Sequence, residues 1–72
     1  MHLNEWLKQK KLTDQQFADM IGCSRSAVTH YRAGRRMPSV YAMMDIQVAT
    51  NHEVKWDDMQ RRWVDVRKNL HL

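Results

Sequence analysis

Two short segments with helical apolar spacing, Asp14 to Ile21 and Arg25 to Ala33, are separated only by Gly22, Cys23 and Ser24. Helices joined by so short a link both bury an apolar face only if they cross steeply and at close range. The residues fit that demand. Phe17, Ala18 and Ile21 form the inner face of the first segment, and Val28 and Tyr31, at i and i+3, form the inner edge of the second. Ala18 is small enough for close approach, and Gly22 takes the left-handed conformation that a sharp reversal needs. Ile21, Cys23, Val28 and Tyr31 fill the wedge. The crossing leaves one surface over, the outer face of the second segment, where Arg25, Ser26, Thr29, His30 and Arg32 are polar and mostly basic.

The flanking chain also reads as helix. Leu3, Trp6 and Leu7 make a short amphipathic helix, with Lys8, Lys10 and Lys11 at the end where cations suit the dipole. Thr13 and Gln16 form a capping box for the next helix, and Asp14 favours its first turn. Ser24 caps the helix from Arg25 to about Ala33, Gly34 stops it, and Arg35 to Pro38 form a basic loop. Ser39 caps a fourth helix, Val40 to about Thr50, apolar round much of its surface through Val40, Met43, Met44, Ile46, Val48 and Ala49, with Asn51 as its C-cap. The last segment carries Trp56, Met59, Trp63, Val66 and Leu70 at 3-4 spacing, Asp57 and Asp58 at its start, and Arg67 and Lys68 near its end. Two heptads are too few for a coiled coil, so this stripe is expected to dock on the core, on a partner subunit, or on both. With one Pro and two Gly in 72 residues, the expectation is an all-α single domain of five helices and no strand. So short a chain buries only about 60% of its unfolded surface, and dimerisation would help it.

The excess charge sits in one half. Residues 1–40 hold seven basic and three acidic residues, a net of +4, whereas residues 41–72 hold five of each. That asymmetry points to a polyanionic partner on the half with the crossed helices. Other classes fit poorly. Cys23 is the only cysteine, which excludes an intrachain disulfide and fits a core filler in a reducing compartment. The longest apolar run, Val40 to Met44, is too short for a membrane span or a signal-peptide core. His2, His52 and His71 lack ligand spacing, so no metal is expected. No Gly-rich phosphate loop is present, and nothing beside Asp57 and Asp58 supplies a nucleophile or an orienting base. We therefore expect no enzyme, no cofactor, no small-molecule ligand, and a cytoplasmic location.

The stretch LTDQQFADMIGCSRSAVTHYRAGRRMPS resembles the Cro/CI-type helix-turn-helix family, also called the XRE family, over roughly residues 3–51. The resemblance rests on Leu12-Thr13, Ala18, Ile21-Gly22, Ser24, Val28, Gly34 and Pro38-Ser39. It implies a lambda-repressor-like domain whose helix-turn-helix spans about residues 14–33, followed by a C-terminal helix over about 56–70. A protruding helix about 10–12 Å across fits a major groove about 12 Å wide. By the resemblance, Arg25, Ser26, Thr29 and His30 read base edges, Arg25 by a bidentate pair to guanine and Thr29 by its methyl on thymine. Gln15, Ser24, Arg32, Arg35, Arg36 and Ser39 would lie on phosphates. Two departures stand out. Asp14 occupies the place of a customary Gln that contacts phosphate, and Leu7 and Arg32 occupy the places of a customary Arg–Glu pair. Arg32 is then expected to be available for phosphate.

The resemblance implies a sequence-specific regulator of transcription that binds double-stranded DNA. The expectation is a Cro-like repressor, bound to a palindromic operator as a homodimer in a bacterial or phage-infected cell, associated with the nucleoid. Trp56, Met59, Trp63, Val66 and Leu70 are its candidate dimer surface. Two rivals remain open: an antitoxin or plasmid regulator of the same fold that also binds a toxin, and a protein-interaction module that has lost DNA.

Overall fold

The computed structural model describes residues 1–70 of the chain, with side chains through Lys68. The described residues form five α-helices and no strand: α1 Leu3–Lys10, α2 Asp14–Ile21, α3 Arg25–Ala33, α4 Val40–Ala49 and α5 Trp56–Leu70. None of these helices is long and apolar enough to cross a membrane.

The caps explain the boundaries. Thr13 and Gln16 form the reciprocal capping box expected of them, each side chain accepting from the other's backbone N–H at 3.1 and 2.9 Å. Ser24 accepts from the Ala27 N–H, and Ser39 from the Ala42 N–H, both at 3.1 Å. Gly22 and Gly34 close α2 and α3 with φ of 71° and 76°. The cap of α1 was not foreseen. His2 supplies it, its Nδ1 accepting from the Asn4 N–H at 3.0 Å. At the end of α4 the cap is Thr50 rather than Asn51. The Thr50 side chain is buried, and its hydroxyl donates to the Ile46 carbonyl at 2.8 Å and accepts from the Val54 N–H at 3.3 Å. Both hydrogen-bonding capacities of the hydroxyl are thereby satisfied, as burial of a polar group requires.

Helix α2 packs against α3 and α4, and α1 against α3. Leu3, Leu7, Phe17, Val28, Ile46 and Val54 are fully buried at the centre. Trp6 meets Phe17 edge to face, centroids 5.7 Å apart, and its indole N–H donates to the Glu53 carboxylate at 2.7 Å. That bond ties α1 to the loop between α4 and α5. Cys23 is half-buried against the core, and desolvation pushes its thiol above the usual value.

The stripe on α5 divides. Met59 is 2% exposed and belongs to the core, so it does not line an open surface. Val66 lies against Gly34, where a Cβ would stand 3.0 Å from its Cγ2. Trp56 is exposed and Trp63 half-buried, with the Arg67 guanidinium 4.8 Å from the Trp63 ring centre. The Leu70 side chain lies outside the described residues. The surface expected as a dimer seam is therefore narrower than its repeat suggests, because part of the stripe closes the chain's own core. Helix α4 differs the other way. Only Met43 and Ile46 of its apolar residues are buried, while Val40, Tyr41, Met44 and Val48 are exposed.

Candidate nucleic-acid interface

The tight reversal at Gly22–Ser24 lifts the start of α3 clear of the core. Ala27, Val28 and Tyr31 hold its inner face. Arg25, Ser26 and Thr29 are exposed on the opposite face, and His30 is half-buried at its edge. Ser24 and Ser39 are exposed at the starts of α3 and α4, their oxygens engaged as caps and their O–H protons left to donate. Arg35 and Arg36 stand exposed just beyond α3. Among the described residues no carboxylate pairs with Arg25, Arg35 or Arg36. The first turns of α3 and the loop after it thus present three exposed cations and several hydrogen-bond donors.

Two expected phosphate ligands make hydrogen bonds within the protein. The Gln15 amide donates to Asp19 on its own helix at 2.9 Å. Arg32 is not available in the way expected. Its Nη1 meets Asp14 Oδ1 at 2.5 Å, and its Nε donates to Asn4 Oδ1 at 3.0 Å. The physical reason is proximity of opposite charge at a half-buried position, where a pair is screened less than in open solvent.

Asp14 is the centre of this cluster. Its second oxygen accepts the Thr29 hydroxyl at 2.6 Å. Burial pushes the Asp14 carboxyl up, but the hydrogen bonds from Thr29 and Arg32, with the charges of Arg32 and Arg25, more than reverse this and hold it below its ordinary value. One carboxylate at the first position of α2 therefore joins α2 to two successive turns of α3, and through Arg32 and Asn4 to α1. Asp14 and Asn4 carry a positioning role that the sequence reading missed. The signal was present in the charges, because an acid at the start of α2 and a base late in α3 are the two departures from the family pattern, and they are opposite in sign.

Among the described residues, no three His, Cys, Asp or Glu side chains are grouped so as to hold a metal ion.

Comparison with known proteins gives the same outline. A family model described as helix-turn-helix matches residues 3–51. The chain is similar to an uncharacterized HTH-type transcriptional regulator, YqaE, of Bacillus subtilis (strain 168), with 32% identity over 73 aligned positions. That alignment covers 96% of this chain and 63% of the relative, so the chain spans less than two thirds of the relative's length. No solved structure matches the chain.

Proposed function

The chain belongs to the helix-turn-helix family, of the Cro/CI or XRE type, and from that premise we propose that it binds double-stranded DNA as a regulator of transcription. The observation that carries this reading is the face of α3. Arg25, Ser26 and Thr29 are exposed on its first turns, His30 lies at their edge, and the uncompensated Arg35 and Arg36 flank them. In this reading α3 enters the major groove. Arg25, Ser26, Thr29 and His30 face base edges, while Arg35, Arg36, Ser24 and Ser39 face phosphate. The engagement of Arg32 by Asp14 and Asn4 supports a role in bracing α3 instead, while the exposed Gln15 stays a candidate phosphate ligand.

The finer form of the proposal is a repressor that occupies a palindromic operator as a homodimer. Two copies would set their α3 helices about 34 Å apart, in successive major grooves on one face of the duplex. The open part of α5, Trp56 and Trp63 with the neighbouring Val64, supports such a contact, because these apolar side chains remain accessible. A second reading, in which the regulator also binds another protein, is favoured by the exposed Tyr41, Met44 and Val48 on α4.

Titration of mixed-sequence DNA at two salt concentrations tests the proposal. A dimer that neutralises ~6–10 phosphates loses roughly 10³–10⁵ in affinity between about 50 and 200 mM salt. Absence of binding at the lower concentration would remove DNA from the function.

A further inference from the structure

The carboxylate that joins α2 to α3 also controls what α3 offers to a base. Resting on the DNA reading above, we propose that Asp14 is a positioning residue that excludes guanine opposite Thr29 and withholds Arg32 from the phosphate backbone.

The argument starts from the single proton of a hydroxyl. Thr29 Oγ1 lies 2.6 Å from Asp14 Oδ2 and 3.1 Å from the Arg25 carbonyl oxygen, both acceptors. The carboxylate is the closer and the charged one, and takes the proton. What Thr29 then presents outward is a methyl group and the lone pairs of an oxygen whose donor is spent. In the major groove, adenine N6 and cytosine N4 donate to such an oxygen, and the thymine methyl packs on the threonine methyl. Guanine presents only its O6 and N7 acceptors there. Oxygen facing oxygen or nitrogen without a proton between them is repulsive. Without Asp14 the remaining acceptor is the Arg25 carbonyl at 3.1 Å, a longer bond to a neutral group that the hydroxyl can give up to donate to guanine, so the exclusion is a property of Asp14 acting through Thr29.

Arg32 completes the arrangement. Its Nη1 and Nε are held by Asp14 and Asn4. Swinging this guanidinium to a phosphate would leave the Asp14 carboxylate unpaired beside the DNA. Asp14 therefore subtracts one cation from the sequence-independent attraction and adds one anion next to it. Both effects lower the affinity for arbitrary DNA while sharpening the choice made by α3.

Wild type, Asp14→Ala and Asp14→Asn, each verified as folded by circular dichroism, are titrated with mixed-sequence duplex at several salt concentrations and used to select bound sites from random DNA. Asp14→Ala is expected to bind mixed-sequence DNA more tightly, with a log–log salt slope steeper by about 1 as Arg32 gains a phosphate. Its selected sites admit guanine at one position where wild type depletes it by roughly fivefold or more, with the other positions unchanged. Asp14→Asn keeps an acceptor for Thr29 but loses the ion pair, so its salt slope steepens while guanine stays depleted. A merely structural role for Asp14 predicts the reverse, weaker binding and a loss of preference at every position alike, and that result with wild type binding normally overturns the inference alone. Failure of wild type to bind mixed-sequence DNA at low salt overturns the DNA reading, and this inference with it.

Discussion

Gly34 and Arg62 are in such close contact that a Cβ on Gly34 would stand 2.8 Å from Arg62 Cγ and 3.1 Å from the Arg62 carbonyl oxygen. The end of α3 is thus the seat of α5. Gly22 has the same left-handed conformation, yet a Cβ there would meet nothing within 4 Å. Gly22→Ala should cost only the backbone term, about 1–2 kcal/mol. Gly34→Ala adds an overpacking term of about 1–3 kcal/mol, because backbone as well as side chain must give way. Thermal melts of the two variants check the order, with Gly34→Ala lower by roughly 4–8 °C for each further kcal/mol.

His2 makes stability depend on pH. Its Nδ1 accepts the Asn4 N–H, which places the ring proton on Nε2, a buried atom without a partner among the described residues. Burial, and then the positive charge of Arg62, push its pKa down, against the pull of Glu5 and Asp58. The unfolded chain takes up this proton near pH 6.5 and the fold only at lower pH, so unfolding binds a proton in between. Stability should therefore fall as pH drops below about 6.5, and should be independent of this residue above it. His2→Asn retains a capping side chain without the titration. Urea midpoints followed from neutral to mildly acid pH should slope for wild type and lie flatter for the variant.

Asp14 gives a second window. Its native carboxyl titrates below the unfolded one, so its contribution is complete above about pH 3.9 and is lost as pH falls through the depressed native value. Asp14→Asn should cost about 1–2 kcal/mol at neutral pH, from charge-assisted bonds to Thr29 and Arg32 at a side chain 21% exposed. Denaturant titrations near pH 3 should show the gap between wild type and variant narrowing.

Arg25 and Arg35 should separate on DNA. Removing a base reader relaxes the choice at one operator position, whereas removing a phosphate ligand weakens every sequence and shallows the salt slope by about 1. Bound-site selection with Arg25→Ala and Arg35→Ala distinguishes them; identical behaviour would abolish the division of roles along α3.

The seam proposed on α5 has its own check. Trp63→Asp places a charge on the open part of the helix, and sedimentation should show a homodimer dissociating while the fold persists. Met59→Asp instead buries a charge in the core, where Met59 is 2% exposed, and should unfold the chain. A dimer unchanged by Trp63→Asp would take α5 out of the interface and turn attention to Tyr41, Met44 and Val48.

Most of the fold was legible because its signals are local. Capping serines, the Thr13–Gln16 box and the two left-handed glycines act within four residues, and all of them stand where the sequence places them. The face of α3 was legible for the same reason, since exposure follows from helical period once Val28 and Tyr31 point inward. What escaped was set by contacts between distant segments. Asp14 reaches Thr29 and Arg32 fifteen and eighteen positions away, and no periodicity encodes that meeting. The α5 stripe looked uniform because spacing alone does not say which of its residues meet Gly34 and which meet solvent. His2 escaped because a histidine cap uses an atom, Nδ1, that the usual capping residues lack.

The indole bond between Trp6 and Glu53 has an optical consequence. Trp6 is 5% exposed and hydrogen-bonded, whereas Trp56 is 38% exposed and Trp63 lies at the surface of α5. The chain therefore carries one shielded emitter that reports on the packing of α1 against α2 and two accessible ones that report on α5. A soluble quencher reaches the second group first, so fluorescence can follow the covering of α5 by a partner while the interior serves as its own reference.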